Sequence, residues 1–205
     1  MYKGERFNGL THLLGAVFAG IGMVFLIVIA ARQNDPWKIV SFTVYGTILL
    51  ILYTFSTLYH SFHGKAKTVF QKLEHLTIYL LIAGTYTPIT LVTLRGPWGW
   101  SLFGVIWVLA IFGMLQETFL KKEARILSVV IYIMMGWTGL IAIQPLAQAL
   151  PFAGVAWLVI GGLFYTIGVI FFALEERLAH SHGIWHLFVL AGSASHYFAI
   201  LFYVA

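Results

Sequence analysis

Long apolar segments separated by short polar ones dominate the hydrophobic pattern of this chain. Each apolar segment is close to the ~20 residues that an α-helix needs to cross the hydrocarbon core of a bilayer. We therefore predict an all-α integral membrane protein, a bundle of seven transmembrane helices. The predicted spans are 10–31, 39–60, 73–94, 98–119, 126–146, 152–174 and 182–204.

The composition supports this class of protein. Hydrophobic residues make up 60% of the 205 residues and charged residues 9%, whereas soluble domains carry ~25% charged residues. Seven spans with short loops account for the length, and we see no flexible linker, so we expect a single domain over 1–205. The chain has no cysteine, which excludes disulfides and thiolate metal ligands.

The loops carry unequal positive charge on the two sides of the predicted bundle. By the positive-inside rule the N-terminus is cytoplasmic, and seven crossings put the C-terminus outside. We expect a multi-pass protein of the plasma membrane and no nucleic-acid partner, because the basic residues form no continuous surface. The N-terminal side holds Lys3, Arg6, Lys65, Lys67, Lys72, Lys121, Lys122, Arg125 and Arg177, and the other side holds Arg32, Lys38 and Arg95.

Ionisable residues from four spans lie at one predicted depth, near the cytoplasmic side. His12 lies near the start of span one, His60 ends span two, Glu74 begins span three, and His182 and His186 begin span seven. Such residues are costly in a span unless they face the protein interior or a cavity. We therefore expect these side chains to face each other inside the bundle.

This layer has the residue types of a zinc site. His182 and His186 are one helical turn apart and can chelate one ion, and His60 can supply the third nitrogen of a catalytic Zn²⁺ site. Glu74 is then placed to accept a proton from bound water, whose pKa zinc lowers. Ser56, one turn from His60, can hydrogen-bond that water or a developing oxyanion. We predict His60, His182 and His186 as metal ligands, with Glu74 and Ser56 as catalytic residues.

Several of these residues also have simpler interpretations. An H-x3-H pair at a helix end often forms only hydrogen bonds. His75 is an alternative to Glu74, because neighbours in a helix point ~100° apart and cannot both face one centre. His196 lies ~15 Å along the helix from His186, too far to share an ion, and we expect it to be a hydrogen-bonded core histidine.

Five further residues have structural interpretations. We expect Glu5 and Asn8 to cap the first helix, and Glu117 to reach the headgroup region. Pro88 and Pro145 fall inside predicted spans, where we expect kinks.

The order and spacing of these motifs resemble the hemolysin III proteins, the bacterial branch of the progestin and adiponectin receptor (PAQR) family. The resemblance covers essentially the whole chain, and the combination of S-x3-H with H-x3-H is its most specific part. The matching segments are GERFN at 4–8, STLYH at 56–60, LEH at 73–75, AGTYTP at 83–88 and HGIWH at 182–186.

The resemblance implies a seven-helix fold with a cytoplasmic N-terminus. From the adiponectin receptors it also implies zinc on His60, His182 and His186, with Ser56 beside them. The family pattern has an aspartate in span three that is linked to zinc through water. Here Glu74 takes that place, and its longer side chain allows either a direct zinc bond or a displaced water.

The resemblance implies more than one kind of function. The adiponectin receptors and the related alkaline ceramidases imply hydrolysis of an amide in a sphingolipid-like or fatty-acyl ligand. We therefore expect a protein that acts on or senses membrane lipid in lipid homeostasis, as a zinc-dependent hydrolase. The name hemolysin III implies a pore-forming cytolysin instead, although the chain lacks the long cationic amphipathic segment of many lytic proteins. A receptor that binds its ligand without catalysis is the third alternative.

Overall fold

The computed structural model of the protein describes residues 4–119, 125–174, 177–178 and 180–205. Within these ranges, seven helical segments are long and apolar enough to cross a membrane, which confirms the prediction of a multi-pass bundle. Lys3, Lys121 and Lys122, which entered the charge count, lie outside the described residues. The spans are Arg6–Arg32, Pro36–Tyr59, Gly64–Thr93, Pro97–Phe119, Ile126–Ala149, Phe152–Ala173 and Ser181–Tyr203.

Eight α-helices build these spans in the described part of the chain. Consecutive helices pack against each other in the pairs α1–α2, α2–α3 and α7–α8. The last helix also packs against the first, which brings the two ends of the sequence together. The helices are α1 (Arg6–Arg32), α2 (Pro36–Tyr59), α3 (Gly64–Pro88), α4 (Pro97–Phe119), α5 (Arg125–Trp137), α6 (Ile143–Ala149), α7 (Phe152–Ala173) and α8 (Ser181–Tyr203).

The third span begins earlier than predicted, at Gly64 and not at 73. The segment 65–72 is polar, so its hydropathy predicts a loop, but it is rich in lysine and other residues with good helix propensity. Gly64 has a positive φ of 59°, which allows a tight turn directly after α2. These additional turns of α3 place Lys67 beside the end of α2.

The two prolines inside spans are each next to an irregular turn. Pro88 ends α3, and a π-helical turn, Ile89–Thr93, follows it. Pro145 lies just after a 3₁₀ segment, Thr138–Ala142, that separates α5 from α6. Proline lacks the N–H of a regular helix and its ring clashes with the carbonyl four residues earlier, which accounts for the break before Pro145. The turn at Ile89–Thr93 follows Pro88 and is not explained in this way.

Glycines allow α8 to approach its neighbours closely. A Cβ on Gly15 of α1 would lie 2.9 Å from side-chain atoms of Leu190 and Tyr53. A Cβ on Gly161 of α7 would lie 2.2 Å from the ring of His196. These contacts restrict the rotation of α8 and therefore the direction in which its histidines point.

Candidate metal centre

Four of the predicted site residues meet where the end of α2 and the start of α8 lie beside the interior of α3. One ligand atom from each of His60, Glu74, His182 and His186 lies within 4.8 Å of the others. His60, Glu74 and His186 are at most 1% exposed, and His182 is partly buried. His60 directly follows α2 as its C-cap residue, and the histidine pair occupies the start of α8. We call these four residues the histidine–glutamate cluster.

The three imidazoles present the same ring nitrogen to one another. His182 Nε2 lies 3.1 Å from His186 Nε2 and 3.3 Å from His60 Nε2. Two nitrogen ligands of a tetrahedral ion with metal–nitrogen bonds of ~2.0–2.1 Å are ~3.4 Å apart, so this spacing suits a shared ion. Glu74 Oε1 lies 4.0 Å from His60 Nε2 and 3.9 Å from His186 Nε2, on an adjacent side of the same space.

Partners outside the cluster determine which nitrogen of two of these rings carries the proton. His60 Nδ1 donates to Glu5 Oε2 at 2.6 Å, and His186 Nδ1 donates to the backbone oxygen of Asn8 at 3.3 Å. Because a neutral imidazole that donates from one nitrogen carries a lone pair on the other, both Nε2 atoms present lone pairs to the centre.

The donor groups of the cluster therefore fit a cation. Both carboxylate oxygens of Glu74 are buried and have no hydrogen-bond partner among the described residues. Lone pairs and an unsatisfied carboxylate that converge in a buried space are unfavourable unless a positive charge lies between them. The cluster can hold a metal ion, and its nitrogen and oxygen donors belong to the set that zinc and several other divalent ions accept.

Glu5 and Lys67 support His60 from outside the cluster. Lys67 Nζ donates to Glu5 Oε1 at 2.6 Å, while Glu5 Oε2 accepts the hydrogen bond from His60. Burial favours the neutral form of Glu5, but the hydrogen bonds from Lys67 and His60 outweigh it and lower its pKa to about 2. A carboxylate that accepts a hydrogen bond from the N–H of a metal-ligating histidine fixes the orientation of the ring and makes it a better ligand.

We expected Glu5 and Asn8 to cap the first helix, but their observed hydrogen bonds are to other groups. Glu5 occupies the N-cap position of α1, but its side chain makes no capping hydrogen bond. Asn8 lies within α1 and uses its backbone oxygen to accept from His186, and its amide donates to Glu5 at 3.3 Å. The start of α1 therefore holds two of the three histidines of the cluster.

Ser56 contacts the cluster through His12. Its buried Oγ lies 2.5 Å from His12 Nδ1, and the His12 ring stacks on His186 with centroids 3.6 Å apart and an angle of 7°. Among the described residues, Ser56 Oγ makes no hydrogen bond to the three histidine rings, and its catalytic role stays a prediction. The predicted depth of His12 was the only signal in the sequence for this contact.

The structure distinguishes Glu74 from its neighbour His75. His75 Nδ1 donates to Glu117 Oε1 at 3.1 Å, so its ring contacts α4 while Glu74 lies in the cluster. Glu117 Oε2 also accepts a hydrogen bond from Ser128 Oγ at 2.5 Å. Glu117 is therefore half-buried and hydrogen-bonded within the bundle, while its position at the level of the headgroups stays a prediction.

A mainly apolar cavity lies beside the cluster. Glu74 and His12 line it, and so does His196, farther along α8. The cavity has a volume of about 110 Å³, and a second cavity of about 100 Å³ shares the wall at His196 and extends to Leu94 and Leu146. The geometry therefore places a metal-binding group next to a cavity suited to an apolar molecule.

Comparison with known proteins finds a matching family model and several similar proteins. Residues 1–197 match the family model described as Haemolysin-III related. The chain is 47% identical to Hemolysin-3 of Bacillus cereus, with 98% of this chain and 92% of that protein covered. It is 29% identical to the human Monocyte to macrophage differentiation factor, with 96% and 83% covered. It is 26% identical to the Adiponectin receptor protein of Drosophila melanogaster, with 96% and 50% covered.

Proposed function

Because this chain belongs to the haemolysin-III related family, we propose that its histidine–glutamate cluster binds zinc and that the protein acts on membrane lipid. The activity that the site supports best is hydrolysis of a lipid amide, of the ceramidase kind, in membrane lipid homeostasis. One observation carries this proposal. Three imidazole nitrogens and an unsatisfied carboxylate converge next to an apolar cavity.

The residues in and around the cluster have different roles in the proposed hydrolysis. His60, His182 and His186 would hold the ion, with Glu5 and Asn8 orienting two of the rings. Zinc bound in such a site supplies Lewis acidity, which makes hydrolysis feasible at neutral pH.

Glu74 is the group that accepts a proton and returns it to the leaving amine. Its two oxygens are buried without a hydrogen-bond partner among the described residues, and Oε1 lies beside the histidine nitrogens, so this carboxylate is available for the step. Ser56 and His12 supply hydrogen-bonding groups beside His186 that orient the substrate.

The cavity would hold a fatty-acyl or sphingolipid-like substrate. Its apolar walls exclude water and accept the chain, while the amide of the lipid lies at the cluster. The adjacent position of cavity and cluster supports a lipid substrate over a small polar one.

The orientation that best suits the loop charges has the N-terminus and the cluster on the cytoplasmic side of the plasma membrane. In this arrangement the chain works as one domain over 1–205. Glycosylation-site tagging or protease protection of each terminus in intact cells tests the orientation. A protected N-terminus with an accessible C-terminus on the outside is the expected result.

Metal analysis and lipid turnover together test the proposed function. Purified wild-type protein should contain one zinc per chain and release fatty acid from a ceramide. Glu74→Gln should retain zinc and lose turnover. Turnover unchanged in this variant would contradict the hydrolase, and wild-type protein without stoichiometric zinc would contradict the metal site.

Two other functions are favoured by the names of the relatives. The identity to Hemolysin-3 favours a pore-forming cytolysin, which should release ions from liposomes even when all three histidines are alanine. Similarity to an adiponectin receptor favours a receptor, which should bind lipid in the same cavity without turning it over. Intact liposomes at high protein load would exclude the cytolysin.

A further inference from the structure

The two cavities meet at a common wall. Six of the described residues line both of them, so these residues lie where the first cavity ends and the second begins. Tyr86 and Trp137 are the two largest side chains of this wall, and both are only partly buried. The positions of these two rings therefore decide how wide the passage between the cavities is. The shared residues are Thr85, Tyr86, Gly136, Trp137, Gly162 and His196.

Tyr86 is held in place by the fifth span. Its hydroxyl donates to the backbone oxygen of Gly136 at 2.8 Å and accepts from the backbone N–H of Gly139 at 2.7 Å. Gly136 lies in α5, and Gly139 lies in the 3₁₀ segment that follows it. The ring of Tyr86 cannot swing out of the wall without loss of two hydrogen bonds, so this side of the passage is fixed.

Trp137 is held from the opposite side, by α7. Its indole Nε1 donates to Thr166 Oγ1 at 3.0 Å. A Cβ on Gly162 would lie 3.6 Å from the Trp137 ring, which is ordinary van der Waals contact, so the ring packs against the backbone of α7. The indole therefore crosses from the fifth span to α7 at the level of the shared wall.

The distance from the cluster to this wall can be measured along two helices. His196, whose Nε2 donates to the backbone oxygen of Leu158, is ten residues beyond His186 in α8, which corresponds to ~15 Å. Tyr86 is twelve residues beyond Glu74 in α3, which corresponds to ~18 Å. An extended chain advances ~1.2 Å per bond, so ~12–15 bonds separate a head group at the cluster from the shared wall.

We propose that Tyr86 and Trp137 form a partition that limits the acyl chain accepted by the first cavity to about 12–15 carbons. This inference rests on the proposed lipid-binding function of the same cavity. With the head of the chain at the histidine–glutamate cluster, its methyl end lies against the two rings. A longer chain has to displace Trp137 to enter the second cavity. Trp137 is thus a residue that determines which lipid binds, at a distance from the reacting bond.

Competition binding to the full-length protein in nanodiscs tests the partition. Dodecanoic and octadecanoic acid each displace a fluorescent fatty acid, and the ratio of their affinities is measured in every variant. Partitioning of the acids into the nanodisc lipid is the same for all variants and cancels when the ratios are compared. Trp137→Ala connects the two cavities, so the ratio of octadecanoic to dodecanoic affinity should rise about 10-fold over the wild-type value, the effect of additional methylenes in an apolar pocket. An unchanged ratio would overturn the proposal.

Trp107→Ala is the matched control. Trp107 Nε1 donates to Thr87 Oγ1 at 3.2 Å, the same kind of contact between helices, but Trp107 lines neither cavity. The ratio should keep its wild-type value in this variant, and an equal rise in both tryptophan variants would overturn the partition. If Trp137→Ala does not fold, Thr166→Val decides, because it releases the indole with little change of shape. A ratio that does not rise in Thr166→Val then overturns the proposal.

The wild-type protein separates failure of the partition from failure of the proposed function. Both acids should displace the fluorescent probe from it. If neither acid does so, the cavity does not bind acyl chains and the proposed function itself is contradicted. If both bind but the variants leave the ratio unchanged, lipid binding stands and only the partition is overturned.

Discussion

Two glutamates inside the same bundle, Glu74 and Glu117, have opposite surroundings. Glu117 accepts hydrogen bonds at both oxygens, from His75 and from Ser128, so its negative charge is stabilised by groups within the fold. Glu74 is more deeply buried, yet neither of its oxygens has a partner among the described residues. A buried carboxylate is expensive unless something satisfies it. Glu117 is therefore satisfied within the fold, whereas Glu74 is available to a bound group.

The largest effect should come from the histidines next to Glu74. We expect His60→Ala, His182→Ala or His186→Ala to abolish stoichiometric zinc binding, because each removes one of the three proposed ligands. Inductively coupled plasma mass spectrometry of the purified variants measures this. His75→Ala is the matched control, since His75 contacts Glu117, and it should retain the metal. Equal loss in the control would indicate unfolding and not loss of a ligand.

Substituting each glutamate by glutamine should separate catalysis from stability. Glu74→Gln should lower lipid turnover by ~10²–10⁴-fold, the range for loss of a general acid–base group, without loss of folded protein. Glu117→Gln should leave turnover close to that of the wild type. Fatty-acid release assays on both variants test the contrast. Similar turnover in the two variants would remove the functional distinction between these carboxylates.

The support that Glu5 gives to His60 should appear in metal affinity. Loss of an outer carboxylate partner typically costs ~10–100-fold, so we expect Glu5→Ala to weaken zinc binding by this amount. Competition with a chelating dye measures it. Lys67→Met removes the partner on the other side of Glu5 and should have a smaller effect in the same direction. Unchanged affinity in Glu5→Ala would mean that this contact does not support the site.

The smallest effect should be the stability change in Glu117→Gln. The substitution weakens charge-assisted hydrogen bonds to His75 and Ser128, so we expect a loss of ~1–3 kcal/mol in the free energy of unfolding. Thermal unfolding in detergent, followed by tryptophan fluorescence, tests the direction. Zinc content should not change. An unaltered melting temperature would show that these hydrogen bonds contribute little.

Much of the fold could be predicted, because a bilayer requires apolar segments of a defined length and hydropathy detects such segments. The seven spans follow from segment length and composition, and the motifs identified the family, which the match over residues 1–197 confirms. The start of α3 was not predicted, because polar residues can continue a helix beyond the hydrocarbon core and hydropathy does not detect them. The 3₁₀ segment before Pro145 was anticipated only as a kink.

The histidines of the site could be predicted from the sequence, but most of the residues that hydrogen-bond to them could not. The H-x3-H spacing and the common predicted depth suggested which side chains meet, and the structure brings His60, His182 and His186 together with Glu74. Glu5 is 55 residues from His60 in sequence, and its position before a helix suggested a local cap. Glu117 likewise depends on a contact across 42 residues. Hydrophobic periodicity carries no signal for such polar pairs, which depend on how the helices rotate against each other.

The central claim is that three imidazoles hold one zinc ion at the histidine–glutamate cluster. Zinc K-edge X-ray absorption on purified wild-type protein tests it most directly. The predicted result is one zinc per chain with nitrogen neighbours at ~2.0–2.1 Å and no sulfur, and a changed or absent spectrum in His182→Ala. Protein that contains no zinc, or a spectrum identical in wild type and His182→Ala, would contradict the claim.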